Sequence, residues 1–120
     1  MDKVIIQFEF DKSDIQSSEI GKLERLHRDL RRRPHSTLKI SAFADSQGTM
    51  AFNQALSDRR ADAILQYFLN EGVSAARIEA KGFGETLLLN QCSNGVECED
   101  KEHSKNRRAE LKVQIEHLQK

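Results

Sequence analysis

The sequence predicts a two-layer α/β sandwich: a mixed sheet with helices packed on one of its faces. Three observations carry this. Short segments alternate apolar and polar residues at period two, as half-buried strands with one wet face do. Between them lie two stretches whose apolar residues recur at helical spacing. Finally, the chain is 120 residues long with a single proline, Pro34, and no Gly/Ser-rich or low-complexity stretch. The expected order is β-α-β-α-β-loop-β in one domain over residues 1–120, with no internal repeat.

Val4 to Phe10 sets Ile6, Phe8 and Phe10 on one side and Gln7 and Glu9 on the other, which reads as the first strand. A polar turn at Asp11-Lys12-Ser13-Asp14 follows. Ile20, Leu23, Leu26 and Leu30 then form a helical stripe, with Ser17 or Ser18 as N-cap and Arg31-Arg32-Arg33 as the close before Pro34. Leu38, Ile40 and Ala42 alternate with Lys39 and Ser41 in a second strand. Thr49 to Leu69 is a longer helix with Phe52, Leu56, Ile64 and Phe68 on one stripe, stopped at Asn70-Glu71-Gly72. Arg77 to Lys81 forms a third strand, ended by Gly82-Phe83-Gly84-Glu85. A polar loop of about twenty residues follows and holds both cysteines. In the last strand Ala109, Leu111, Val113 and Ile115 face one way, and Glu110, Lys112, Gln114 and Glu116 the other.

Nineteen Lys and Arg balance nineteen Asp and Glu, and charged residues make up 32% of the chain. The balance also holds in each half: eleven basic against nine acidic in residues 1–60, eight against ten in 61–120. Nucleic acid or an anionic membrane calls for a one-sided field, so neither is an expected partner. Arg31-Arg32-Arg33 closes a helix, where cations complement the dipole. No apolar run approaches the ~20 residues of a membrane span, and no secretion signal begins at Met1. If the protein is exported, the expectation is a domain excised from something longer.

Several residues are candidates for chemistry. Asp45 lies in Ala44-Asp45-Ser46-Gln47-Gly48, between a strand's carboxyl end and a helix N-terminus. Before a glycine it is a turn residue in its own right, but such crevices are where open α/β sheets bind ligands. Arg60 falls four residues from both Leu56 and Ile64 and seven from Asn53, and a cation on an apolar stripe needs a partner. Arg59 lines up with Ala55 and Ala63, so the wheel does not choose between the two arginines. A structural ion pair with a carboxylate at the sheet edge is the plainer reading. Asn106-Arg107-Arg108 precedes the last strand, where basic pairs commonly guard an edge. Cys92, Cys98 and His103 make an incomplete zinc set at an unusual spacing. A Cys/His nucleophilic pair lacks an orienting third group. A local disulfide fits better, and implies an oxidising compartment. His27, His35 and His117 are scattered and expected at the surface.

Five blocks then stand in sequence: Ile6-Gln7-Phe8-Glu9-Phe10-Asp11-Lys12-Ser13-Asp14-Ile15, Asp45-Ser46-Gln47-Gly48, Phe52-Asn53-Gln54-Ala55-Leu56-Ser57-Asp58-Arg59-Arg60-Ala61, Gly82-Phe83-Gly84-Glu85 and Asn106-Arg107-Arg108-Ala109-Glu110. Together, from about Val4 to Ile115, they resemble the OmpA-like peptidoglycan-binding domain of outer-membrane porin tails, the peptidoglycan-associated lipoprotein and flagellar stator proteins. The pair Cys92 and Cys98 ahead of His103 is similar to a subgroup with a loop disulfide.

The resemblance implies binding of the diaminopimelate residue of the peptidoglycan stem peptide, whose free end carries an ammonium and a carboxylate on one carbon. Asp45 would take the ammonium and Arg60 the carboxylate through its planar fork. Asn53 would hydrogen-bond alongside; Phe10, Asp11, Leu56, Arg107 and Arg108 would line the same crevice. No cofactor, metal or catalytic residue is implied. The location implied is periplasmic, attached to the outer membrane or envelope through the parent protein, and some relatives form a homodimer. The chain departs from the family at Ala42-Phe43-Ala44-Asp45, where G-H-T-D is usual, and at Phe52, where tyrosine is common; both lose hydrogen-bonding groups near the ligand. The alternative is a module of the same fold whose drifted pocket binds a protein. A hydrolase using Asp45 or Glu85 with Cys98 or His103 lacks a paired nucleophile and base.

Overall fold

A computed structural model describes residues 3–115 apart from 87, 91, 94 and 95; Glu116 and His117 therefore lie outside the described residues. Four strands, β1 (Val4–Gln7), β2 (Ser36–Ala42), β3 (Ile78–Gly82) and β4 (Arg108–Ile115), form one sheet in the order β1-β4-β2-β3. β4 runs antiparallel to both β1 and β2, and β3 runs parallel to β2. The mixed sheet expected from the alternation is therefore present. Helices α1 (Ile20–Arg32) and α2 (Met50–Asn70) pack against it.

The core explains why the helices share one face. Ile6, Leu38, Ile40, Leu111 and Val113 from the strands meet Leu23, Leu26 and Leu30 of α1 and Ile64 and Phe68 of α2, all 3% exposed or less. Lys39, Glu79, Lys81 and Lys112 point out from the other side of the strands into water. A sheet with one dry and one wet face is the arrangement that period-two alternation encodes. At Gly82 the end of β3 comes so close to α2 that a Cβ would lie 2.6 Å from the Asp58 backbone nitrogen. Gln54 Nε2 donates to Gly82 O at 2.8 Å, and Gly84 N donates to Ser57 Oγ at 2.8 Å. The Gly82–Glu85 segment is thus seated directly on α2.

Local expectations needed correction in several places. β1 stops at Gln7, three residues early, because the chain turns: Lys12 N–H donates to Glu9 O at 3.2 Å, with Asp11 in the left-handed region at φ 60°. Asp tolerates that conformation better than most residues. Phe10 consequently rolls out of the core and is 52% exposed. Neither Ser17 nor Ser18 caps α1; a 3₁₀ turn over Ser17–Glu19 leads in, and no side chain caps it. Thr49, by contrast, caps α2 through Phe52 N→Thr49 Oγ1 at 3.0 Å. The long polar loop contains a short helix, α3 (Asp100–Ser104), too short to show an apolar period. β4 lies inside the sheet, so Arg107 and Arg108 guard no edge. Ile115 is exposed rather than inward. His27 is half-buried, its Nδ1 3.8 Å from Glu71.

Candidate functional site

A cavity of about 450 Å³ opens beyond the carboxyl ends of β1 and β2, against the first turns of α2. Phe10, Asp11, Asp45, Asn53, Leu56, Arg60 and Arg107 line it, which brings together seven of the eight expected ligand residues. Arg108 is not among them. Its guanidinium lies 3.9 Å over the Phe43 ring and its Nε donates to Glu110 Oε2 at 2.8 Å. Arg108 opens β4 and pairs with Glu110 two residues on, while Arg107, in the bend just before the strand, enters the cavity.

The structure chooses between the arginines of α2: Arg59 is exposed, and Arg60 is fully buried. Among the described residues no carboxylate is bonded to Arg60; it is held by backbone carbonyls, which corrects the plainer reading of an ion pair. Nε donates to Lys12 O at 2.8 Å, one terminal nitrogen to Phe43 O at 3.0 Å and the other to Glu9 O at 3.0 Å. The guanidinium also lies 5.1 Å from the Phe8 ring centroid. Glu9 and Lys12 are the two ends of the turn that exposes Phe10 and Asp11. Arg60 therefore builds part of the cavity wall as well as charging it. Burial pulls its pKa down to about 10, opposed chiefly by the nearby Asp45 carboxylate, so it stays cationic at neutral pH.

Asp45 is 4% exposed and fully engaged. Its Oδ1 accepts from Gln47 N at 2.9 Å, and its Oδ2 from Gln47 Nε2 at 3.0 Å and an Arg107 terminal nitrogen at 3.2 Å. Arg107 in turn grips Asp100 with both terminal nitrogens, at 3.0 and 3.3 Å, and donates from Nε to Phe8 O at 3.3 Å. On α2, Asn53 Nδ2 donates to Glu85 Oε1 at 3.0 Å, which fixes the amide and leaves Oδ1 without a hydrogen bond among the described residues. The polar floor thus has two cations, Arg60 and Arg107, beside Asp45 and Asp11. The walls are Phe10, Phe52 and Leu56.

Sequence reasoning missed further contributors. Gln47, Gly48 and Thr49 line the cavity, as does Phe52, which the resemblance set near the ligand but not among the site residues; Glu85 orients Asn53, and Asp100 holds Arg107. Phe52 had the spacing of a core residue but is 43% exposed, because its place in the first turn carries it past the sheet. Gln47 and Glu85 sit inside recognisable blocks, and only the contacts reveal their use. Phe43 and Ala44, the departures from G-H-T-D, do not line the cavity; the Phe43 ring stacks on Phe83 at 5.4 Å.

Cys92 and Cys98 are joined in a disulfide, Cα atoms 6.0 Å apart, so neither is a thiolate nucleophile or a metal ligand. Among the described residues no group of three or more His, Cys, Asp or Glu is placed to hold a metal ion. His103 is buried and its Nδ1 has no partner there.

Comparison with known proteins agrees with this architecture. The chain is 32% identical over 92% of its length to outer membrane porin F of Pseudomonas fluorescens, and equally so to that of Pseudomonas aeruginosa, spanning about a third of each porin. It superposes on the peptidoglycan-associated lipoprotein from Burkholderia pseudomallei with a TM-score of 0.82 and 26% identity, covering 92% of this chain and 89% of that one. The fold also matches the cell wall anchor of the T6SS from Pseudomonas aeruginosa, with a TM-score of 0.74 and 20% identity over 95% of this chain and 81% of that one. The family model described as "OmpA family" matches residues 7–107, and the chain belongs to the OmpA family.

Proposed function

We propose that the domain binds peptidoglycan non-covalently through the diaminopimelate residue of the stem peptide, anchoring the envelope protein that carries it to the cell wall from the periplasm. The observation that carries this reading is the cavity floor: a buried cation and a buried carboxylate side by side between apolar walls. A ligand of net charge gains little from so balanced a site. A zwitterion, with ammonium and carboxylate on one carbon, matches it group for group.

The roles follow from what is left unoccupied. Three of the five Arg60 N–H groups are taken by carbonyls, so two remain for a carboxylate. The Gln47 carboxamide occupies Asp45 Oδ2 with an N–H donor; the ligand's ammonium takes that place and displaces it. Asn53 Oδ1 accepts from the same ammonium. Arg107 keeps Asp45 aligned, and Phe10, Phe52 and Leu56 cover the methylene chain. None of this needs a nucleophile, and the reaction class is binding. The likeness to a peptidoglycan-associated lipoprotein supports the ligand class. The location of Phe43 and Ala44 away from the cavity supports an intact pocket over a drifted one.

Sedimentation with isolated sacculi tests the reading. The wild-type domain is expected to co-sediment, while Asp45→Ala and Arg60→Lys stay in solution. Equal sedimentation of all three proteins would rule out the cavity as the binding site.

A further inference from the structure

The cavity's ion pair belongs to a closed circuit that runs through the disulfide. Asp45 is followed by Ser46, whose hydroxyl donates to Cys92 O. Cys92 is bonded to Cys98. Glu99, the N-cap of α3, follows Cys98, and Asp100 then grips Arg107 at 3.0 and 3.3 Å. Arg107 returns to Asp45 Oδ2 at 3.2 Å. Asp45, Ser46, Cys92 and Arg107 are all at least nine-tenths buried.

Two features suggest that this circuit serves more than stability. The disulfide closes a sequence separation of only 6 residues, so it removes less unfolded-chain entropy than a long-range bridge would. It also lies just before a five-residue helix with no side-chain cap, which would not hold its place unaided. The Asp100 side chain is 75% exposed, so its grip on Arg107 depends on where α3 is set. Asn90 gives a second hold, with Nδ2 donating to Glu102 O at 2.8 Å. Breaking the disulfide therefore loosens α3 without releasing it.

We infer that the Cys92–Cys98 disulfide is a positioning element of the ligand site. Through α3 and Asp100 it sets the Arg107 guanidinium, and through Cys92 O and Ser46 it sets the backbone beside Asp45. This rests on the reading of the cavity as a zwitterion site, but it can fail separately.

The test compares wild type, the Cys92→Ser/Cys98→Ser variant, Asp100→Asn and their combination, titrated with a diaminopimelate-containing stem tripeptide. Either break weakens binding about 5- to 20-fold, and the combination weakens it by the same factor, because a circuit opened once gains little from a second opening. The Arg107 Nε–H resonance of the free protein moves in each variant. An unmoved resonance in the Cys92→Ser/Cys98→Ser variant overturns the inference whether or not the tripeptide binds. So does wild-type affinity in that variant, or losses that multiply in the combination. A wild-type domain that fails to bind the tripeptide overturns both the zwitterion reading and the positioning role of the disulfide.

Discussion

Arg60 and Arg77 sit at opposite ends of β2 and are seated in the same manner. Arg60 donates to the carbonyl of Phe43, just past the strand's end, and to Glu9 and Lys12 in the turn after β1. Arg77 donates to the carbonyl of Ser36, the strand's first residue, and to Leu30 and Arg33 at the close of α1. Each guanidinium thus ties together main-chain segments that no strand pairing joins, by donating to several carbonyls at once. The surroundings differ. Arg77 is partly exposed and meets no carboxylate among the described residues, whereas Arg60 is fully buried below a cavity that also holds Asp45, Asp11 and Arg107. An arginine seated on carbonyls is a structural device. Neighbouring carboxylates and two further N–H groups are what the proposed ligand site adds at Arg60.

Removing each arginine separates these two roles, and the largest effect is expected at Arg60. Arg60→Ala removes a donor from three carbonyls, of which Glu9 O keeps the Lys12 N–H, and opens a void. It should cost about 3–5 kcal/mol in urea unfolding and abolish ligand binding. Arg60→Lys should also lose most of the binding, since one ammonium cannot span three carbonyls and a carboxylate. Asp45→Asn acts chiefly on the proposed site. It should lower affinity by ~2–5 kcal/mol in calorimetry but stability by only about 1–2 kcal/mol, because Arg107 keeps Asp100. Arg77→Ala should reverse that pattern, with about 1–3 kcal/mol of stability lost and affinity within about twofold of wild type. If Arg77→Ala weakened binding as much as Asp45→Asn, the division between the two ends of β2 would be wrong.

The smallest expected effect lies at Glu110 on β4, which bonds to neither Arg60 nor Arg77 among the described residues. Burial pushes the Glu110 carboxyl up, but hydrogen bonds from Arg108 and Lys3 outweigh it and leave the pKa below the usual 4.5. The folded state then holds its proton less tightly than the unfolded one. The contribution is complete above 4.5 and lost as pH falls through the lowered value. Glu110→Gln should remove that part of the acid dependence, about 1 kcal/mol or less, since the Lys3 partner is exposed to water. An unchanged acid limb in unfolding curves would contradict it.

Much of this could be read in the residues. Alternation in Leu38–Ala42 and Ala109–Val113 and the stripe Leu23, Leu26, Leu30 named the layers, because a half-buried element must repeat its apolar residues at its own period. Asp45, Asn53 and Arg60 stood in spaced blocks whose chemistry suits a zwitterion. What stayed hidden depends on pairings between distant segments. Phe10 and Phe52 looked like core because alternation does not reveal where the sheet ends. Periodicity allowed Arg59 as readily as Arg60, since the choice rests on carbonyls some 17 to 51 residues away in sequence. The Asp100 fork on Arg107 and the Glu85 hold on Asn53 come from a loop whose path no local pattern encodes.

The proposed site reads an ammonium and a carboxylate borne on one carbon. Calorimetric titration with a diaminopimelate-containing stem tripeptide and its lysine-containing analogue tests it most directly. The analogue keeps the terminal ammonium and lacks only the carboxylate assigned to Arg60. The first is expected to bind at least ~10-fold tighter than the second, a difference of about 1.4 kcal/mol or more. Equal affinity for the two peptides would contradict it.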